Sequence, residues 1–178
     1  ILSGVKKYFP LSDGVEITTE ANPDSVDARM LAELREGGFN RISFGMQSVA
    51  PGVLATLQRT HTAGASEEAA KLARQAGFDH VNLDLIYGTP GETDSDVRDS
   101  VNACIDSGAD HVSAYSLIVE PGTPMSRAVK SGALPPPDED ECADRYNIID
   151  SMLHGADFNW YEVSNWAKPG GKCEHNQA

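Results

Sequence analysis

Arg41-Ile42-Ser43-Phe44-Gly45-Met46-Gln47 decides the architecture. Ile42, Phe44 and Met46 alternate with Ser43, Gly45 and Gln47, so one face of this strand is apolar and the other small and polar. The same parity runs through residues 80–87, where Val81, Leu83 and Leu85 alternate with Asn82 and Asp84. Residues 15–20 repeat it, with Ile17 and Thr19 set against Glu16, Thr18 and Glu20. A parallel strand covered by helices on both faces is apolar throughout. Strands split this way fit a parallel α/β barrel of the TIM type, with helices outside and a polar lumen that receives a ligand. An open doubly wound sheet is the second choice.

Outward from these strands, helical patterns alternate with strand-like runs. Val26, Met30, Leu31 and Leu34 share one helical face, closed by Gly37-Gly38. Residues 66–76 align Ala69, Leu72, Ala73 and Ala76 ahead of Gly77. Thr93 and Asp96 have capping-box spacing before Val97, Val101, Cys104 and Ile105. Further strands are expected at residues 111–119 and 160–164, separated by Pro135-Pro136-Pro137 and a longer helix carrying Tyr146, Ile149 and Leu153. Such alternation with short connections implies a parallel sheet. Residues 1–167 are read as one partial barrel, and residues 168–178 as the start of a segment leading to a further C-terminal region.

The chain has 178 residues, with 27 acidic against 14 basic side chains and a formal net charge of -13. That surface repels phosphate backbones and anionic membranes, so nucleic acid is a poor partner. No run of residues approaches a membrane span. The three cysteines, Cys104, Cys142 and Cys173, are odd in number and far apart, which argues against a disulfide framework and for a reducing, cytoplasmic setting. Cys104 lies on the apolar side of its helix and reads as a small buried hydrophobe.

Parallel barrels gather their functional groups at the C-terminal ends of strands and in the loops that follow. Four polar groups stand there: Glu20, Gln47, Asp84 and, in the connection after the second strand, Arg59. Arginine grips a carboxylate bidentately, whereas Asp and Glu accept hydrogen bonds from hydroxyls or an ammonium. Together they suit a small ligand bearing an amine, a carboxylate and hydroxyls. A non-redox barrel enzyme would also place Glu20 and Asp84 at strand ends for acid–base work. It would usually add a lysine or metal ligands in the lumen, and no strand supplies either.

Six ordered motifs then carry a family resemblance over nearly the whole chain. They are Ile17-Thr18-Thr19-Glu20-Ala21-Asn22-Pro23, residues 40–48, Leu57-Gln58-Arg59-Thr60-His61, residues 84–93, residues 117–124 and Tyr161-Glu162-Val163-Ser164-Asn165-Trp166-Ala167. The sequence resembles radical S-adenosylmethionine (SAM) proteins of the oxygen-independent coproporphyrinogen III oxidase-like family. The resemblance implies that Arg59 holds the methionyl carboxylate of SAM, that Asp84 and Gln47 contact its ribose, and that Glu20 lies beside it. Gln58 stands where members commonly have glycine. The family also binds a [4Fe-4S] cluster through Cys-x3-Cys-x2-Cys, a run this chain lacks. The cluster cysteines are therefore expected upstream of Ile1, residues 15–20 would be about the third strand of the parent barrel, and this chain alone should be inactive.

Within that family two branches compete. One is the oxidase, which decarboxylates propionates to vinyl groups; the other is a haem chaperone that delivers haem to target proteins. Residues 170–178, with His175-Asn176, resemble the chaperone branch, which is favoured. Imidazole is a standard axial ligand of haem iron, so His175 is the candidate, with Cys173 as a thiolate alternative. The other histidines, His61, His80, His111 and His154, read as structural or solvent-facing. The resemblance implies haem or a porphyrinogen as cargo or substrate, a haem-accepting protein and an electron donor for the cluster as partners. A degenerate haem-binding module without radical chemistry is a further alternative.

Overall fold

A computed structural model describes residues 2–60, 62 and 64–177. The expectations for His61 and for Ala178 therefore lie outside the described residues. Four strands, β1 (Thr18–Ala21), β2 (Arg41–Gln47), β3 (His80–Tyr87) and β4 (His111–Ser116), form a parallel sheet. Two more, β5 (Asn159–Glu162) and β6 (Asn165–Ala167), make an antiparallel hairpin that adds to β4 through β6. The sheet order is β1-β2-β3-β4-β6-β5.

The strands at 41–47 and 80–87 match the sequence reading residue for residue. Those at 15–20 and 111–119 are shorter in the structure, running Thr18–Ala21 and His111–Ser116. The wholly parallel expectation fails at the last pair: the stretch expected at 160–164 is one arm of the antiparallel β5–β6 hairpin.

Apolar parity decides where the helices go. Ile42, Phe44, Met46, Val81, Leu83 and Val112 are all 0–1% exposed and share one core with helices α4 (Ala65–Gln75), α5 (Asp94–Asp106) and α7 (Glu139–Gly155). Those helices contribute Ala69 and Ala73, Val101 and Cys104, and Ile149 and Leu153. Their starts follow from local chemistry. Thr93 and Asp96 form the reciprocal capping box that opens α5. Asp138 accepts from the backbone N–H groups of Asp140 and Glu141 at the head of α7. Trp166 of β6 lies on the same face as Val112 and donates its indole N–H to Asp150 on α7 at 2.8 Å.

The opposite face of the sheet is polar, carrying Ser43, Asn82, Asp84, His111 and Ser113 around a cleft of about 650 Å3. Helices packed on one face and a ligand-sized polar cavity on the other describe an arc of barrel wall, and this separates the fold from a doubly wound sheet. No helix among the described residues is long and apolar enough to cross a membrane.

Candidate ligand-binding site

The C-terminal strand ends bring Glu20, Gln47, Arg59 and Asp84 around one polar cleft of about 330 Å3, which continues into the larger lumen. Each arrives by a different route. Glu20 comes from β1 and Asp84 from β3. Gln47 ends β2 with a left-handed φ of 66°, at a register shift between Gly45 and Gln47 opposite β3. The shift turns its amide back across Gly45, where a Cβ would meet Gln47 Nε2 at 2.8 Å. Arg59 follows the short helix α3 (Pro51–Thr56) and is solvent-exposed.

Asp84 is the most elaborated of the four. Its two oxygens accept hydrogen bonds from Ser43 Oγ and Asn82 Nδ2, each at 2.7 Å. Burial pushes its carboxyl above the usual range and the nearby Glu20 charge adds to this, while the hydrogen bonds from Ser43 and Asn82 pull it back. A carboxylate held in this balance accepts readily from a ligand hydroxyl.

His175 occupies the other end of the lumen. It sits in a short 3-10 turn, His175–Gln177, beneath the N-terminal ends of the strands, and its side chain is exposed. The preceding residues are tied down firmly. Arg41 donates from Nη2 to the carbonyls of Gly171 and Lys172 at 2.8 Å, and Cys173 donates its thiol to Glu16 at 3.1 Å. Burial, and that bond to Glu16, push the Cys173 thiol up, so the thiolate alternative for iron ligation is disfavoured.

Sequence reasoning undervalued one group. His111 is 1% exposed and forms part of the lumen wall, bonded to Asn82 and to the Tyr161 hydroxyl at 2.6 Å each. The signal was available: His111, Ser113 and Tyr115 alternate with Val112 and Ala114 in the parity that marked the other strands. His80 pairs with Asp110 at 2.7 Å, and His154 is exposed.

The cysteines do not converge. Cys104 is fully buried beside Met46 in the helix-covered core, Cys142 sits on α7 against Gly88, and Cys173 lies at the lumen floor. Among the described residues no three His, Cys, Asp or Glu side chains are grouped to hold a metal ion. The residues present therefore do not fit an iron–sulfur cluster. By contrast, a guanidinium, two carboxylates and an amide on one cleft do fit the charges and hydroxyls of SAM.

Residues 3–104 match the model of the radical SAM superfamily, more than half of the chain. The chain belongs to the radical SAM superfamily. It is 53% identical over 176 residues to the haem chaperone HemW of Mycobacterium tuberculosis strain H37Rv, covering 99% of this chain and 45% of that relative. To HemW of Bacillus subtilis it is 38% identical, covering 94% and 44% respectively. The chain thus spans about half the length of the curated relatives it matches. Among solved structures it resembles coproporphyrinogen III oxidase HemN from Escherichia coli with a TM-score of 0.84 at 24% identity, covering 95% of this chain and 39% of that one. That likeness shows the barrel fold alone. Membership of the superfamily displaces the non-redox barrel enzyme considered from the sequence.

Proposed function

We propose that this chain is the SAM-binding and haem-facing part of a cytoplasmic, HemW-like haem chaperone. The observation that carries the reading is the meeting of Glu20, Gln47, Arg59 and Asp84 on one cleft, in a chain 53% identical to a haem chaperone. Arg59 holds the methionyl carboxylate, Asp84 and Gln47 take the ribose, and Glu20 faces the same ligand. SAM and a [4Fe-4S] cluster supply radical chemistry in this superfamily, and the cluster's ligands come from outside residues 1–178. Residues 168–178 lead on from the barrel arc to a further region, and the other partners are an electron donor and a haem-accepting protein.

His175 is the proposed axial ligand to haem. Among the described residues its ring has no hydrogen-bonding partner, and it lines the same lumen as Arg41, whose Nη1 is likewise without a partner and suits a propionate group. The test is a haem titration of the full-length protein followed by its absorption spectrum, with His175→Ala beside the wild type. Stoichiometric binding whose spectrum changes in the variant supports the reading. Absence of haem binding, together with decarboxylation of coproporphyrinogen III, would move the protein to the oxidase branch.

A further inference from the structure

The two ends of the lumen are joined by an unbroken chain of hydrogen bonds, buried at its centre and part-buried toward its ends, and its donors and acceptors can be assigned in one sense. Asp84 accepts from Asn82 Nδ2, so the amide oxygen of Asn82 points the other way, toward His111. That oxygen accepts from His111 Nδ1 at 2.6 Å and from Ser113 Oγ at 3.3 Å. The imidazole therefore carries its proton on Nδ1 and presents a bare Nε2. Nε2 accepts from the Tyr161 hydroxyl at 2.6 Å. The Tyr161 oxygen in turn accepts from the Cys173 backbone N–H and from Asn176 Nδ2, each at 3.2 Å. Six residues, Asp84 and Asn82 of β3, His111 of β4, Tyr161 of β5, and Cys173 and Asn176, are thus connected from the cleft at Asp84 to the segment that bears His175.

We propose that Asn82, His111 and Tyr161 are positioning residues that couple ligand occupancy at Asp84 to the order of residues 173–177 at the lumen floor. The coupling rests on the proposed SAM site only for the identity of the ligand at Asp84. Reversing any bond in the chain reverses the next, because Asn82 has one donor end and one acceptor end and a neutral imidazole likewise. A ligand hydroxyl on Asp84 that leaves the carboxylate ionised keeps the Asn82 amide in place, and with it the bonds to Cys173 and Asn176.

The charged and titratable surroundings agree with a neutral imidazole. His111 faces Arg41 from β2 and Glu16 ahead of β1, with His80 and Asp110 alongside, and burial pushes its pKa down to about 4. Asp84 faces Glu20 from β1 and Tyr115 from β4, with Arg59 on the same cleft.

The experiment uses the full-length protein with 15N-labelled histidine. The nitrogen spectrum of His111, assigned by its loss in His111→Asn, should show a neutral ring protonated at Nδ1 from pH 5.5 to 8. A ring protonated at Nε2, or one that becomes cationic in that range, overturns the proposal. SAM affinity is then measured against pH. His111→Phe removes the donor to Asn82, frees its amide and raises the Asp84 carboxyl further. SAM should bind about 10-fold more weakly at pH 7, with the acid limb of binding moved to higher pH. His111→Asn, whose amide donates in place of Nδ1–H, should restore most of the loss.

Tyr161→Phe should abolish the SAM-dependent slowing of amide exchange at Cys173 and Glu174. Weaker folding of both Phe variants with the acid limb and the SAM-dependent exchange unmoved would show a packing role only and sink the coupling. If the wild-type protein binds no SAM, the SAM reading fails on its own, and the imidazole spectrum still decides the relay.

Discussion

The guanidinium of Arg41 lies 2.8 Å from the Glu16 carboxylate, with the two side chains 2% and 11% exposed. The pair clamps the first parallel strands to the returning segment, since Arg41 also bonds the carbonyls of Gly171 and Lys172 while Glu16 accepts from Cys173 and Glu174. Removing one member of a buried pair strands the other charge. Arg41→Leu should therefore cost about 3 kcal/mol in a urea unfolding measurement, whereas a loss below about 1 kcal/mol would mark the pair as solvated like a surface bridge.

Glu16 also gives an acid limb to stability. Burial pushes its carboxyl up, but the bonds from Cys173 and Arg41 and the Arg41 charge outweigh this and leave it below the ordinary value. A carboxylate lowered in the folded state stabilises above its unfolded pKa of about 4.3 and loses that contribution as pH falls through the folded value. The Glu16→Gln protein should show a shallower stability decline than wild type below about pH 4.3.

His111 acts in a higher window. Its folded pKa of about 4 lies below the ordinary 6.5, so the unfolded chain binds the proton more readily. Its contribution is complete above about pH 6.5 and disappears progressively toward pH 4, with an upper limit on the order of 3 kcal/mol. Stability of wild type minus that of His111→Asn, followed by denaturant melts from pH 7.5 to 4, should fall across that interval. A flat difference would contradict the buried neutral imidazole.

A second buried arginine holds the loop after β3. Arg145 on α7 donates from Nη2 to the Glu92 carbonyl at 2.7 Å, and its Nε lies 3.8 Å from the Glu92 carboxylate, which accepts from the Gly88 N–H at 2.7 Å. Arg145→Met should destabilise by about 3 kcal/mol and increase amide exchange at Gly88, read by mass spectrometry. Glu92→Gln keeps an acceptor for Gly88 and should cost less.

Gly45 lines the same cleft and sets the position of a site residue. Gly45→Ala would place a methyl group 2.8 Å from Gln47 Nε2. The amide is the end of a flexible side chain, so the fold should survive while Gln47 moves off the cleft. SAM binding should weaken about 5-fold, the scale of one neutral hydrogen bond, with an unchanged melting temperature.

Sequence parity located β2 and β3 because apolar and polar side chains alternate through all of β2 and through β3 as far as Leu85. It also exposed Glu20, Gln47 and Asp84, which stand at strand ends where the pattern stops. The β5–β6 hairpin was not legible. Its turn at Val163-Ser164 carries no Asn-Gly or Asp-Gly signal, and its strands are only four and three residues long. The floor of the lumen was hidden for a different reason. Arg41 meets residues 171–172, and Tyr161 meets His111, across separations that no local periodicity encodes.

The central claim is that the polar strand ends of β1, β2 and β3, with Arg59, bind SAM. It is tested most directly by equilibrium dialysis of labelled SAM against the full-length protein and its Asp84→Ala and Arg59→Ala variants. Losing a hydrogen bond to a charged group should weaken binding at least about 10-fold in each variant, with folding preserved by circular dichroism. Folded variants that bind SAM as tightly as wild type would contradict the assignment of this cleft.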